Sequence, residues 1–223
     1  MQYLREIDIV HRDLCLENIM VDGTGNIKIL DFSCSKKVVD SKWLFTICGR
    51  PEYLAPDMIL MNGYTFSVGI GSIGILFYEL LTRKTPFQGA HQNDIILNIM
   101  TSPIPDVGGL DEDCKSFLSE ILNKKQSLRL GLQRRGLIDI WRHPMLVNAG
   151  YSANNVCLRS TTPPFILDDH ELEAVDVNDV NDVNDVNDDD DDDDDDDGDL
   201  NTIHLDFETC HDFVVAEKNK EDN

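Results

Sequence analysis

Acidic residues divide this chain into two parts of very different composition. Of its 42 acidic residues, 25 lie in residues 168–223, which contain only 2 of its 19 basic residues. Residues 1–167 therefore have no net charge, because they contain 17 acidic and 17 basic residues. A ten-aspartate run, Asp188 to Asp197, repels itself and cannot bury apolar surface, so we predict a disordered acidic tail after a folded body. The favoured interpretation is a solvated tail. Weak binding of Ca²⁺ or Mg²⁺ and contact with a basic partner are the alternatives.

Charge and hydropathy also limit the partners and the compartment. The acidic balance argues against a nucleic-acid partner, because phosphate backbones require clustered Lys and Arg. Charges in the first eight residues argue against a secretory signal. The longest apolar run, residues 70–81, includes Glu79 and is too short to span a bilayer. The six cysteines form no C-x-x-C pair, so we predict a cytoplasmic protein with reduced thiols and no membrane span.

Residues 11–18, His-Arg-Asp-Leu-Cys-Leu-Glu-Asn, place an acid and an amide, Asp13 and Asn18, five positions apart. A second acid, Asp31, follows an alternating apolar run at residues 27–30. Turn-forming residues 22–26 precede that run. This order predicts a strand, a hairpin turn and a second strand, with the acid and the amide facing one reaction centre.

These motifs resemble the catalytic loop and the metal-binding loop of eukaryotic protein kinases, H-R-D-L-x-x-x-N followed by D-F-G. Residues 49–57, Gly-Arg-Pro-Glu-Tyr-Leu-Ala-Pro-Asp, resemble the segment that closes the activation loop of that family. Residues 135–144 and 158–165 resemble the end of AGC-group kinases, in particular the cGMP-dependent type. The resemblance implies a Ser/Thr protein kinase that transfers a phosphoryl group from MgATP to a hydroxyl.

The resemblance also implies the catalytic and cofactor-binding residues. Asp13 would orient the attacking hydroxyl and accept its proton. Asn18 and Asp31 would hold Mg²⁺, since oxygen ligands suit this hard cation. The same two residues, together with Met20, would contact ATP.

Substrate recognition is implied for acidic and apolar positions. Glu17 and Glu79 match positions that bind arginines upstream of the phosphorylated residue in basophilic kinases, and Tyr53 would brace Glu79. For each acid, an ordinary surface role is an equal alternative. A small apolar pocket for the residue after the target would be formed by Ile47, Pro51 and Leu54.

Regulation and structural support are implied at four further positions. Thr46 stands where related kinases are phosphorylated, and a phosphate there would add about 1.5 to 2 negative charges that could pair with Arg12. An unmodified surface Thr46 stays an alternative. Arg129 is expected to pair with Asp57 and so tie the activation segment to the helical lobe.

Four residues depart from the family pattern. Cys15 replaces a Lys beside the transferred phosphate, and Ser33 replaces the glycine of D-F-G. Arg50 replaces a Thr, and we expect its cation to compete for Asp13. Gly69 replaces an Asp that accepts hydrogen bonds from the catalytic loop. Because only ten residues precede His11, we also expect the small lobe and its phosphate-binding parts to be missing.

We therefore predict an α+β, predominantly helical fold: a protein-kinase-like large lobe with a short β-hairpin at the active site. A central helix is expected over residues 67–81 and a helical subdomain over residues 94–145. The expected organisation is a partial kinase domain (1–147), an AGC-like extension (148–167) and the acidic low-complexity tail (168–223).

Three functional interpretations stay open. The chain is a kinase of weak or no activity, acting on protein substrates with upstream basic residues. Alternatively, it is a noncatalytic pseudokinase or scaffold module that binds a kinase or a regulatory protein. A truncated gene product is the third interpretation, and the sequence does not separate it from the second.

Overall fold

The computed structural model describes residues 1–38, 42–160 and 162. The amino-terminal part of the described chain carries one short helix and four short strands in two antiparallel pairs. These elements are α1 (Gln2–Glu6), β1 (Ile9–Val10), β2 (Ile19–Val21), β3 (Ile27–Ile29) and β4 (Lys36–Lys37). A 3-10 helix, Leu16–Asn18, leads directly into β2. Strand β1 pairs with β4, and β2 pairs with β3.

The β2–β3 pair is the predicted hairpin, in the register Ile19 opposite Ile29. Its turn is held by Asp22, whose Oδ1 accepts hydrogen bonds from the Thr24 hydroxyl at 2.6 Å and from the Asn26 amide at 2.9 Å. These donors, of which the Thr24 hydroxyl has the largest effect, lower the pKa of Asp22 to about 2. The hairpin therefore forms from local turn chemistry, as the sequence predicts.

Apart from an isolated β-bridge between Leu44 and Tyr64, the regular elements in the rest of the described chain are helices. A 3-10 helix, Pro51–Tyr53, precedes α2 (Pro56–Ile59). The α-helices after α2 are α3 (Ser67–Thr82), α4 (Gln92–Thr101), α5 (Glu112–Ile121), α6 (Ile138–Trp141), α7 (Pro144–Asn148) and α8 (Ala153–Cys157). Another 3-10 helix, Gln126–Leu128, follows α5. The predicted predominantly helical large-lobe fold is thereby confirmed.

Helix α3 is the predicted central helix, and more than half of its residues are buried. Its glycines allow close packing: a Cβ on Gly74 would lie 2.7 Å from Leu122 Cδ2, and one on Gly71 would lie 3.2 Å from the Ala55 methyl. An interior glycine costs about 0.8 to 1 kcal/mol relative to alanine. Packing against α5 and the segment before α2 offsets this cost.

The structure places a methionine side chain beside Gly69, the first glycine of α3. A Cβ on Gly69 would lie 2.2 Å from Met1 Cε, so an apolar group fills the space where the kinase pattern has a carboxylate. Within the described residues, no helix is long and apolar enough to cross a membrane. The acidic tail and the end of the AGC-like extension lie outside the described residues.

Candidate active site

The acid and the amide of the catalytic loop lie together, as predicted. Asn18 Nδ2 donates to the Asp13 carbonyl at 2.8 Å and to Asp13 Oδ2 at 3.1 Å. Arg12, with φ of 69°, turns the chain immediately before Asp13. Because Asn18 is almost fully buried at the end of a 3-10 helix, it holds the orientation of the Asp13 carboxylate.

His11 joins the catalytic loop to the strand that leads to the second acid. Its side chain is fully buried, its Nε2 donates to the Leu30 carbonyl at 3.1 Å, and its ring packs edge-on against Phe32 at 4.7 Å. Burial lowers the pKa of His11, so the ring is neutral at physiological pH. A second link is the Leu30 amide, which donates to the Asn18 carbonyl at 2.8 Å. Asp31 is thereby placed next to the catalytic loop.

Asp31 has a left-handed backbone conformation, with φ of 53°. Its Oδ1 accepts from the Ser33 hydroxyl at 2.6 Å and from the Ser33 amide at 3.1 Å. These two donors lower the pKa of Asp31, and the hydroxyl has the larger effect. Ser33 was identified from the sequence only as a replacement for the glycine of D-F-G, although an Asp-x-Ser spacing is a known signal for a local side-chain turn.

The activation segment approaches the catalytic loop at Gly49. Its φ is +88°, and a Cβ there would lie 2.6 Å from the Arg12 carbonyl oxygen. The next amide, that of Arg50, donates to Asp13 Oδ1 at 3.1 Å. A glycine is therefore required for this backbone to lie beside the catalytic loop.

The Arg50 cation, which was expected to compete for Asp13, forms its ion pair with Glu17 instead and keeps only an electrostatic interaction with Asp13. Only the Arg50 backbone amide bonds to Asp13, whereas Arg50 Nη1 forms an ion pair with Glu17 Oε1 at 2.6 Å. The side chain extends from the backbone contact toward the 3-10 helix that carries Glu17. The sequence does not predict this pair, because 33 positions separate the two residues.

Tyr53 connects the two acids that the resemblance assigned to substrate arginines. Its hydroxyl donates to Glu79 Oε2 and accepts from the Leu16 amide at 3.4 Å, one position before Glu17. Burial raises the pKa of Tyr53, and the hydrogen bond to Glu79 has the next largest effect in the same direction. Tyr53 therefore stays protonated and holds the Glu79 carboxylate beside the catalytic loop.

The remaining site residues have contrasting environments. Cys15 is fully buried, and burial raises the pKa of its thiol, so it carries no charge at neutral pH. Met20 is 41% exposed on β2. Of the three residues predicted to form the apolar pocket, Ile47 is exposed, Pro51 is half-buried and Leu54 lies in the core.

Thr46 is exposed, and its backbone is connected to Arg12 through a tyrosine. The Tyr64 hydroxyl donates to the Thr46 carbonyl, and Arg12 Nη1 donates to the Tyr64 oxygen at 3.4 Å. Arg12 Nε donates to the Cys34 carbonyl at 2.5 Å. The Arg12 guanidinium thus bonds directly to Cys34 and is linked to the Thr46 carbonyl through Tyr64.

Asp57 and Arg129 form the ion pair that the resemblance implied. Arg129 Nη2 lies 2.6 Å from Asp57 Oδ1, and both side chains are buried. The Ser67 hydroxyl donates to Asp57 Oδ2 at 2.6 Å, while Arg129 donates to the carbonyls of Ser67 and Asn123. The pair therefore joins α2, the start of α3 and the segment after α5.

The large lobe of a protein kinase has the features described above. They are a hydrogen-bonded acid and amide on a loop, a hairpin that leads to a second acid, and a buried ion pair within a helical lobe. The protein kinase domain family matches residues 1–144, and the chain belongs to this family.

Relatives place the chain in the AGC group. It is 36% identical over 165 residues to the mouse cAMP-dependent protein kinase catalytic subunit PRKX, covering 74% of this chain and 45% of that protein. Identity to human cGMP-dependent protein kinase 2 is 36% over 167 residues, covering 73% of this chain and 21% of that protein. The putative ribosomal protein S6 kinase alpha-1 of Caenorhabditis elegans is 32% identical over 166 residues, with coverage of 74% and 21%. The chain thus spans 21% to 45% of the length of these three relatives.

Proposed function

We propose that this chain is the partial kinase domain of a Ser/Thr protein kinase that transfers a phosphoryl group from MgATP to protein hydroxyls, with weak activity on its own. The observation that carries this proposal is the orientation of Asp13 by the amide of Asn18. Asp13 would accept the proton of the attacking hydroxyl, a contribution typically worth about 10²- to 10⁴-fold in rate.

Mg²⁺ would supply charge stabilisation for the phosphate oxygens, and the donor set fits a hard cation. The Asn18 amide nitrogen bonds to Asp13, which leaves the amide oxygen as the ligand atom. Ser33 engages Oδ1 of Asp31, which leaves Oδ2 as the second ligand atom. Met20, half-exposed on the adjacent strand, would contact ATP.

Two residues support weak activity. The buried, neutral thiol of Cys15 cannot provide the positive charge that a Lys would place beside the transferred phosphate. Loss of one such preorganised donor costs about 2.7 to 4 kcal/mol, or a hundred- to a thousandfold in rate. Gly69 provides no carboxylate, and Met1 occupies the space beside it.

The substrate would be a protein with basic residues upstream of the target, bound through Glu17 and Glu79, in a cytoplasmic setting. Phosphorylation of Thr46 would add charge near Arg12 and order the activation segment. The kinase domain would extend over residues 1–147 and the AGC-like extension over 148–167, followed by the acidic tail, 168–223.

The second candidate is a noncatalytic pseudokinase module that binds a kinase or a regulatory protein. Exposed apolar side chains on and near the activation segment favour it: a Cβ on Gly63 would contact both Trp43 and Phe45, which are 55% and 51% exposed. Leu60 and Met61, at the end of α2, are also exposed. A contiguous exposed apolar patch commonly marks a binding surface for a protein.

The test is transfer of labelled phosphate from MgATP to a Ser peptide with upstream arginines, comparing the chain with its Asp13→Asn and Asp106→Asn variants. Asp106 is exposed and distant in sequence from the site motifs, so it controls for loss of one negative charge. We expect slow transfer that falls about a hundredfold or more in Asp13→Asn and is unchanged in Asp106→Asn.

Binding of a fluorescent ATP analogue, with and without Mg²⁺, separates the two candidates. Mg²⁺-dependent binding that weakens in Asp31→Asn supports the kinase. Absence of both transfer and nucleotide binding contradicts the kinase proposal and favours the noncatalytic module.

A further inference from the structure

The guanidinium of Arg50 lies among the acids of the candidate active site. The backbone amide of Arg50 donates to Asp13 Oδ1 at 3.1 Å, and Nη1 lies 2.6 Å from Glu17 Oε1. The cation also interacts electrostatically with Asp13 and with Asp31, whose pKa is lowered mainly by the Ser33 donors and further by this charge. One positive charge of the activation segment therefore acts on both acids of the proposed reaction.

Phosphoryl transfer at these acids requires positive charge, because the transferred group carries negative charge on its oxygens in the transition state. Within the catalytic loop, Cys15 is fully buried, and its thiol is neutral because burial raises its pKa. The Arg12 guanidinium is engaged by the Cys34 carbonyl and the Tyr64 hydroxyl. The Arg50 cation, in contrast, interacts electrostatically with Cys15. Its charge is therefore close to the position that Cys15 leaves uncharged.

The side chain of Arg50 can reorient while its backbone stays fixed. Gly49 turns the chain at φ of +88° against the Arg12 carbonyl, so the Arg50 side chain extends from a point held beside Asp13. Its ion pair with Glu17 joins side chains that are 43% and 55% exposed, and such pairs contribute little stability. A phosphoryl group accepts two parallel hydrogen bonds from a guanidinium and carries more negative charge than one carboxylate, so it is a stronger partner for Arg50.

We propose that Arg50 is a catalytic residue: its guanidinium leaves Glu17, binds the phosphoryl group during transfer, and supplies positive charge that Cys15 lacks. This inference rests on the proposed phosphoryl transfer at Asp13. In that step the substrate hydroxyl oxygen forms a bond to the phosphorus. The bond from the phosphorus to the departing ADP oxygen breaks, and its electron pair stays on that oxygen. The hydroxyl proton passes to Asp13, and Arg50 stays protonated throughout.

The first measurement is nucleotide binding, which does not depend on turnover. A fluorescent non-hydrolysable ATP analogue and the matching ADP analogue are titrated, with Mg²⁺, against the chain and its Arg50→Ala, Arg50→Lys and Arg135→Ala variants. Arg50→Ala should weaken triphosphate binding about three- to tenfold and diphosphate binding by less than about twofold, because only the triphosphate carries the transferred group. Arg50→Lys, which keeps the charge, should retain part of the difference. Arg135 is exposed, and its removal changes the net charge equally, so Arg135→Ala should bind both analogues like the unsubstituted chain.

The second measurement is transfer of labelled phosphate to the Ser peptide with upstream arginines. Arg50→Ala should lower kcat about ten- to a hundredfold without raising the KM for the peptide, as expected for a charged contact made to the transferred group. An Arg50 that only organised the peptide site would raise that KM instead. Cys15→Lys in the Arg50→Ala background should restore part of the rate, because it returns a cation to the same centre. Circular dichroism melting shows whether each variant is folded.

Two results would overturn the inference alone: equal triphosphate affinity in Arg50→Ala and Arg135→Ala, or a loss of affinity that the diphosphate shares. In either case, transfer that still disappears in Asp13→Asn would leave the proposed kinase reaction intact. Absence of nucleotide binding and of transfer in every protein would overturn both. If a lysine at the buried Cys15 position prevents folding, the comparison of Arg50→Ala with Arg50→Lys decides the question by itself.

Discussion

At the scale of single residues, Ser33 has the most specific effect on the chemistry of the site. Its hydroxyl and amide both donate to Oδ1 of Asp31, which lowers the pKa of that carboxyl and leaves Oδ2 without a bond to Ser33. A glycine could supply only the amide. The serine thus restricts the backbone and also orients a proposed metal ligand.

Replacing Ser33 with alanine removes the larger cause of the lowered Asp31 pKa, so that pKa should rise. A carboxyl group whose pKa is lower in the folded than in the unfolded state stabilises the fold at pH values above the unfolded-state pKa. This stabilisation is lost as the pH falls toward the folded-state pKa, so Ser33→Ala should shift the acid-induced loss of stability to higher pH. Titration of the Asp31 carboxyl carbon by NMR measures the pKa, and Ser33→Thr, which keeps a hydroxyl, is the control. An identical titration in Ser33→Ala would contradict the prediction.

At the scale of elements, the contact between the activation segment and the catalytic loop depends on one backbone turn. Gly49 permits the Arg50 amide to reach Asp13, and the side chain of Arg50 then reaches Glu17. The acid proposed to accept the proton is therefore held from both sides, by Asn18 of its own loop and by the activation segment.

Gly49→Ala should destabilise the chain more than Gly109→Ala does. Both glycines have similar positive φ values, of +88° and +84°, but a Cβ would meet the Arg12 carbonyl at 2.6 Å in the first case and nothing within 4 Å in the second. Backbone strain alone costs about 1 to 2 kcal/mol, and the collision should add about 1 to 3 kcal/mol at Gly49. Urea unfolding measures both free energies, and equal losses would show that the close approach is not present in solution.

At the scale of the whole molecule, one buried ion pair joins segments that are far apart in the chain. Asp57 and Arg129 are 72 positions apart, and their hydrogen bonds reach α2, α3 and the segment after α5. A buried pair of this kind is costly to break because the remaining charge loses its partner while it stays out of water.

Arg129→Ala should lower the free energy of unfolding by about 3 to 5 kcal/mol. The double variant Asp57→Ala/Arg129→Ala should lose less than the sum of the two single variants, since it leaves no unpaired buried charge. Chemical denaturation of the four proteins completes this double-mutant cycle, with the exposed pair Lys115 and Glu112 as a control expected to contribute at most about 1 kcal/mol. Additive losses would argue against a coupled pair.

The sequence by itself determined the elements whose causes are local. The turn chemistry around Asp22 predicted the β2–β3 hairpin, and apolar spacing predicted α3, because hydrogen bonds and periodicity act over a few residues. The spacing of Asp13 and Asn18 predicted that they face one reaction centre, and the structure shows their side chains hydrogen-bonded. The family also followed from motifs in order along the chain. The roles of the site residues in catalysis and substrate binding stay predictions.

Only the tertiary structure decided which distant residues meet. Arg50 was expected at Asp13 but pairs with Glu17, since the direction of its side chain depends on how the activation segment packs. The neutral state of His11 comes from its burial, and the apolar filling beside Gly69 comes from Met1, which is 68 positions earlier in the chain. A linear pattern specifies neither the burial of a group nor its long-range neighbours, and these two quantities set the charge and the accessibility of this site.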